Sequence, residues 1–291
     1  MDFHHKILNA LVDVAEEAGE TLLKFYHNGL HKSGLATEVD GQLVTDADRA
    51  SNALILERLS QAFPEMPVLA EESDDDARRL KSRSLFLVDP LGGTNNFVAG
   101  ETDFAVSIAY TEGAPGNHQP VIGVVYRPVF DELFVAQKGK GAVLVLNNRN
   151  STLHVSSTKD WKRARLVCSA LHNDARTTRL KSLAPIWNGR GSAALMICKV
   201  AMGEAEWYAH VAPRHLSEYD IAAADLIMSE AGGRLTDGFG NTVRYNRPGI
   251  ILPRGVVASN GFCHSQALEV VSSIMVSGAG LPVTEKVREA A

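Results

Sequence analysis

Apolar positions recur along this chain with two different periods. From 4 to 27, Ile7, Leu8, Leu11, Val14, Ala15, Ala18, Leu22 and Phe25 return mostly at three- and four-residue steps, which predicts an amphipathic helix closed by Gly29 and Gly34. Leu43-Val44-Thr45 reads as a short extended piece. A second helix is predicted from about Asp46, with Ala50, Ala53, Leu54, Leu56 and Leu59 mostly inward and a stop near Pro64. Val68-Leu69-Ala70 and Leu85-Phe86-Leu87-Val88 are short continuous apolar runs, the mark of buried strands. Further strands are predicted at 104–110, 120–126, 132–136 and 142–146, with connections rich in Gly, Pro and Asn that favour antiparallel pairing.

After a polar connection at 147–151 the pattern alternates. A strand at 165–169 leads to helices at 174–183 and 193–202, the latter opening on Gly189-Arg190-Gly191-Ser192. A helix at 220–231 closed by Gly232-Gly233, a strand at 256–259 and a helix at 263–276 follow. The chain thus divides into an α+β half at 1–147, an α/β half at 148–277 and a loosely held tail at 278–291. Strand runs interleaved with helices imply a layered α/β or α+β architecture.

Composition narrows the class. At 291 residues, 45% apolar and 22% charged, the chain resembles an ordinary soluble enzyme. A net charge of −5 argues against a nucleic-acid polymer as partner. Cys168, Cys198 and Cys263 are odd in number and far apart, which fits a reducing cytoplasm rather than a disulfide framework. The first residues lack a signal-peptide core and no run reaches membrane-spanning length. His4-His5 reads as an exposed helix start, and the histidines show no metal-ligand spacing.

Four carboxylates stand at the ends of elements: Asp48, Glu71, Asp89 and Asp220. Each has a plain structural reading. Thr45-x-x-Asp48 resembles a capping box, Asp220 a helix N-cap, Asp89 the opening of a turn before Pro90, and the acidic run at 71–76 a solvated loop. Together they match what a hard divalent cation requires, oxygen ligands beside a phosphate. Glu71 and Asp89 both follow apolar strands, so adjacent strands would bring them to one edge, beside the backbone N–H groups of Gly93 and Thr94. The run Gly189 to Ala194 has a dinucleotide-like spacing, but Pro185-Ile186-Trp187-Asn188 is a poor strand to precede it; a glycine turn feeding a helix start near the site is the better reading. There is no Walker A sequence and no G-x-S-x-G elbow.

These residues resemble the motifs of the inositol monophosphatase superfamily. Asp89-Pro90-Leu91-Gly92-Gly93-Thr94-Asn95-Asn96-Phe97 is similar to the signature D-P-[IL]-D-G-T-x-N-F. Ala70-Glu71-Glu72-Ser73 resembles the G-E-E-S element, and Leu43 to Asp48 the V-T-x-x-D element. Tyr219 to Ala224, followed by Glu230-Ala231-Gly232-Gly233, resembles W-D-x-A-A and E-A-G-G; Gly191 to Ala194 and Val257 to Asn260 match further positions.

The resemblance implies a layered α-β-α-β-α sandwich, a homodimer, and Mg²⁺-dependent, lithium-sensitive hydrolysis of a small phosphate monoester by two-metal activated water. It implies that Glu71, Asp89 and the carbonyl of Leu91 hold one ion and that Asp89 and Asp220 help hold the second. Asp48 and Thr94, near Glu71, would activate the attacking water. Gly92, Gly93 and Thr94 would meet the phosphate, and Gly191, Ser192, Ala193 and Asp220 the alcohol.

One position departs from the family. Gly92 stands where the second aspartate of D-P-[IL]-D-G-T belongs, so one anionic ligand is missing from an otherwise complete site. Such a loss is expected to weaken metal binding by at least the ~10–100-fold seen for lost supporting contacts, and turnover with it. The family lysine that precedes V-T-x-x-D has Lys32 as its nearest counterpart. The segment from Trp207 to Glu218 is longer than in typical inositol monophosphatases and should form part of the pocket wall, and with Arg214 and His215 it suits a larger anion such as 3′-phosphoadenosine 5′-phosphate. Asn95-Asn96-Phe97 points instead to inositol or sugar monophosphates, which are favoured. A non-catalytic phosphometabolite-binding protein is the remaining alternative.

Overall fold

The computed structural model describes residues 2–37, 41–169, 174–189, 191–212 and 216–277. Two long helices open the chain, α1 (Phe3–His27) and α2 (Asp46–Ala62), with the small hairpin β1 (Ala36–Thr37) and β2 (Leu43–Val44) between them. Seven strands follow in sheet order: β3 (Val68–Ala70), β4 (Ser84–Gly92), β5 (Ala105–Ala114), β6 (Asn117–Arg127), β7 (Glu132–Gln137), β8 (Ala142–Leu146) and β9 (Arg149–Thr152). Only β3 and β4 are parallel; the other neighbours are antiparallel. The short helix α3 (Thr94–Val98) leaves the end of β4.

A second sheet is built from the rest of the chain. Its strands are β10 (Arg165–Val167), β11 (Ile186–Asn188), β12 (Trp207–His210), β13 (Arg234–Asp237) and β14 (Val256–Ser259), in the order β11-β10-β12-β14-β13. The helices between them are α4 (Ala175–Leu183), α5 (Ala193–Ala201), α6 (Glu218–Glu230) and α7 (His264–Ser277).

Three apolar cores separate five layers. Ile7, Leu11, Leu22 and Ile55 of α1 and α2 pack on Phe86, Val88 and Val106 of the large sheet. Leu85, Leu87, Ala109 and Val125, on its other face, meet Leu195 and Ile197 of α5 and Ile221 and Ala222 of α6, which also cover Tyr208 and Ala258 of the small sheet. Leu180 of α4 and Ala267 and Val271 of α7 close the far face on Leu166, Trp207 and Val257. The order is α-β-α-β-α. β4 is buried on both faces, which is why its sequence is a continuous apolar run without alternation. Gly123 of β6 allows α6 to come close: a Cβ there would stand 2.6 Å from the Ala223 carbonyl oxygen.

Several expectations need correction. The polar stretch at 147–151 is a two-residue hairpin turn leading into β9, with Asn147 and Asn148 at φ 51° and 58°, the left-handed conformation such turns require and Asn tolerates. Ile186–Asn188, dismissed as a poor strand, pairs in parallel with β10 as an edge strand. β12 lies within the segment assigned to the pocket wall, and β13 carried no expectation. His4 is not simply an exposed helix start, because its ring nitrogen lies 2.8 Å from a Glu112 carboxylate oxygen. The acidic run is structured: Asp75 pairs with Arg79, and Asp76 caps the following 3₁₀ turn, Ala77–Lys81. Among the described residues no helix is long and apolar enough to cross a membrane.

Candidate metal and phosphate site

The parallel pairing of β3 with β4 sets Ala70 opposite Val88, so the next residues on each strand, Glu71 and Asp89, lie side by side. The Glu71 N–H donates to the Val88 carbonyl at 3.1 Å and holds that register past the end of β3. Asp89 sits inside β4, one residue before Pro90, where the ladder to β5 breaks between Asp89 and Gly92. Proline offers no N–H to the ladder, and the resulting bulge frees the backbone there. Ser51 of α2 donates to the Pro90 carbonyl at 2.8 Å, and the Leu91 N–H to Asp89 Oδ1 at 3.2 Å.

Asp220 arrives from the other half of the chain. It is the N3 residue of α6, not its N-cap: Ser217 caps the helix, and the Asp220 carboxylate accepts from the Ser217 N–H in a capping box. Oxygens of Glu71, Asp89 and Asp220 all lie within 4.8 Å of one another. Burial and mutual repulsion push Glu71 and Asp89 well above the usual carboxylate range, and burial pushes Asp220 up to about 7.

Asp48 plays the matching role at α2. Its carboxylate accepts from the Thr45 N–H at 2.7 Å and the Thr45 hydroxyl at 2.6 Å, completing the predicted capping box. Its other oxygen lies 3.2 Å from the Thr94 hydroxyl, which is also 3.1 Å from the Leu91 carbonyl. Burial raises the Asp48 pKa, partly offset by these donors. Thr94 begins α3 behind Gly93, whose φ of 92° is a left-handed turn open to glycine.

Glu71, Asp89, Asp220, Leu91 and Thr94 line one cleft of about 120 Å³. Leu91, Gly92, Gly93 and Thr94 form one wall; Gly191, Ser192 and Ala193, at the start of α5, form another. Ser192 caps α5 by accepting from the Leu195 N–H at 3.2 Å. Asp48 lies behind Thr94 and does not itself line the cleft. Tyr208, His210 and Leu216 add a third wall, with Met196, Gln42 and Ser169. Tyr208, His210 and Leu216 lie in the segment expected to form part of the wall; Met196, Gln42 and Ser169 were not expected and carry no local motif. Lys32 is exposed and does not line the cleft, and Arg214 and His215 lie outside the described residues.

At Gly92 the expected carboxylate is missing, and its space is partly taken. A Cβ there would stand 2.4 Å from Asp89 Oδ2 and 3.0 Å from the Ser192 Cβ. No lysine or arginine is found among the described lining residues. Three converging carboxylates beside the Leu91 carbonyl form an all-oxygen donor set, which fits a hard divalent cation such as Mg²⁺ and not a soft metal. When bound, such an ion supplies positive charge for phosphoryl oxygens and acidifies water.

The sequence model of the Inositol monophosphatase family matches residues 4–276. Inositol monophosphatase 2 of Solanum lycopersicum is 34% identical over 253 residues, covering 80% of this chain and 89% of that protein. The 3'(2'),5'-bisphosphate nucleotidase CysQ of Salmonella typhimurium is 32% identical over 242 residues, covering 82% of this chain and 94% of its own length. The crystal structure of the extragenic suppressor protein SuhB from Bartonella henselae matches with a TM-score of 0.75 at 30% identity, over 91% of this chain and 98% of that one. The five layers, the acidic cleft and the near-complete match agree, and the chain belongs to the inositol monophosphatase family, a family of metal-dependent phosphatases.

Proposed function

We propose that this chain is a Mg²⁺-dependent phosphomonoesterase acting on a small polyol or sugar monophosphate, with turnover limited by Gly92. The observation that carries this reading is the convergence of Glu71, Asp89 and Asp220 within 4.8 Å, beside the Thr94–Asp48 hydrogen bond. Glu71, Asp89, Asp220 and the Leu91 carbonyl would hold the metal. The backbone N–H groups of Gly93 and Thr94, both of which line the cleft, would meet the phosphate.

Thr94 and Asp48 form the proton path. A water poised on the phosphorus can donate to the Thr94 hydroxyl, whose own proton goes to Asp48 Oδ1 at 3.2 Å. Burial of Asp48 raises its basicity, which favours its taking that proton. As the new bond from the water oxygen to phosphorus forms, the bond to the leaving oxygen breaks, and the departing alkoxide takes a proton from solvent water. Gly191, Ser192 and Ala193 face the leaving alcohol across the cleft.

Asn95 and Asn96 line the cleft, and the run Asn95-Asn96-Phe97 favours an inositol or sugar monophosphate over a bisphosphate nucleotide. Gly92 itself favours a second reading, a phosphometabolite-binding protein without turnover. Phosphate release from inositol 1-phosphate, sugar phosphates and 3′-phosphoadenosine 5′-phosphate, measured across a Mg²⁺ titration for the native chain and Gly92→Asp, separates the two. Turnover that rises with Mg²⁺ supports the enzyme; saturable binding in calorimetry with both proteins at background turnover overturns it.

A further inference from the structure

Arg79 is fully buried, which is costly for a guanidinium unless every donor is used. It lies in the 3₁₀ turn on the connection between Glu71 and Asp89. Its Nε and Nη2 clasp the Asp75 carboxylate at 2.5 and 2.7 Å. Its Nη1 reaches across to the other half of the chain, donating to Asn246 Oδ1 at 2.9 Å and the Arg247 carbonyl at 3.0 Å. Asn246 returns the contact by donating to the Arg79 carbonyl at 2.9 Å.

Asn246 is itself fully buried and left-handed at φ 59°, a backbone state that persists only where its surroundings enforce it. What enforces it is Glu218, the first residue of α6, also fully buried. The Glu218 carboxylate accepts from the Asn246 N–H at 2.7 Å, the Arg247 N–H at 3.2 Å and Arg247 Nε at 2.9 Å. Asp220 lies two residues further along the same helix turn. One continuous set of charged hydrogen bonds therefore joins the segment between two of the site carboxylates to the helix start that bears the third.

We infer that Arg79, Asn246 and Glu218 are positioning residues, a clamp that fixes the start of α6 against the Glu71–Asp89 connection so that Asp220 meets the other two carboxylates. None of the three lines the cleft. Apolar packing between α6 and the large sheet tolerates small slides, whereas a bidentate guanidinium and a carboxylate with three donors do not. Outward slip of the α6 start would separate Asp220 from Asp89 without unfolding the sandwich. The inference rests on the metal-binding reading above.

The test is a titration of Mn²⁺, followed by paramagnetic resonance, into the full chain and its Arg79→Lys, Asn246→Gly and Glu218→Gln variants, alongside thermal unfolding of each. Glu206→Gln is the matched control: Glu206 is 1% exposed, is held by Arg165 and Ser156, and does not line the cleft. Each clamp variant is expected to weaken Mn²⁺ binding about tenfold or more, the scale of lost outer support to metal ligands. Glu206→Gln is expected to lose stability but keep the native affinity. Should Glu218→Gln fail to fold, Asn246→Gly decides, because glycine keeps the left-handed backbone and removes the side-chain contacts to Arg79 and to His118. Folded clamp variants that bind Mn²⁺ like the native chain, or an equal loss in Glu206→Gln, would overturn the clamp alone. A native chain that binds no Mn²⁺ would overturn the metal reading and the clamp with it.

Discussion

Gly92 and Asp89 share a small volume, and that sharing governs what a replacement at Gly92 can do. The 2.4 Å approach of a Cβ to Asp89 Oδ2 is to the far end of a side chain, which can rotate. Gly92→Asp is therefore expected to be accommodated and to strengthen Mg²⁺ binding by about 10–100-fold, raising turnover with it. Gly92→Ala imposes the same crowding without a ligand and is expected to weaken Mg²⁺ binding below native; calorimetric Mg²⁺ titration of both checks the pair. Thr94→Val removes the hydroxyl between water and Asp48 while keeping the branched shape. It should lower phosphate release by about 100-fold or more, with Mg²⁺ affinity and melting temperature near native. Gly92 and Thr94 could be found in the sequence because they sit inside a motif. Met196 could not: its place in the cleft wall is set by the packing of α5, and no motif marks it.

At the scale of elements, each of the four site carboxylates is delivered by a terminus or a bulge. Asp48 and Asp220 are the N3 residues of two capping boxes, Glu71 follows the end of β3, and Asp89 opens the bulge in β4. The same hydrogen bonds that start the helices thus aim two of the four carboxylates. Gly189 bears on the remaining wall: a Cβ there would come within 1.5 Å of the Cys168 carbonyl oxygen, backbone that cannot yield as a side chain would. Gly189→Ala is expected to destabilise the fold by about 3 kcal/mol, read as a lower denaturant midpoint, and to displace Ser192 and Ala193 from the cleft. The helices and the strands β3 to β8, β10 and β14 were legible from a period or a continuous apolar run. β9, β11, β12 and β13 were not: each has three or four residues and none is an uninterrupted apolar run.

For the whole molecule, the acidic cleft makes stability depend on pH and on divalent cations. The Asp220 carboxyl has a folded pKa of about 7, above its unfolded value, so between these values the native state binds more protons than the unfolded one. Its contribution is full at low pH and is lost as pH rises through about 7. Glu71 and Asp89 are shifted in the same direction. The metal-free protein is expected to melt at lower temperature at pH 8 than at pH 5.5, and Asp220→Asn to flatten that difference. A divalent ion replaces those protons with a charge that does not titrate. Mg²⁺ at about 100 times its Kd should add about 2.7 kcal/mol of stability, and differential scanning calorimetry with chelator and with Mg²⁺ at both pH values checks sign and size.

The sequence by itself determined the local grammar. It specified which stretches are helix or buried strand, which acidic residues stand at their ends, the glycine turn at Gly92 and Gly93, and membership motifs spread along the chain. Those features are written in spacing a few residues long, and such spacing is what periodicity and capping chemistry read. That Asp220 meets Glu71 and Asp89 was expected through the family resemblance alone, and layer packing settles that Asp89 occupies the space beside Gly92 and that Arg79 reaches Asn246 and, through it, Glu218. Residues so far apart in the chain become neighbours through layer packing and strand register, and no local pattern encodes a distance between two layers.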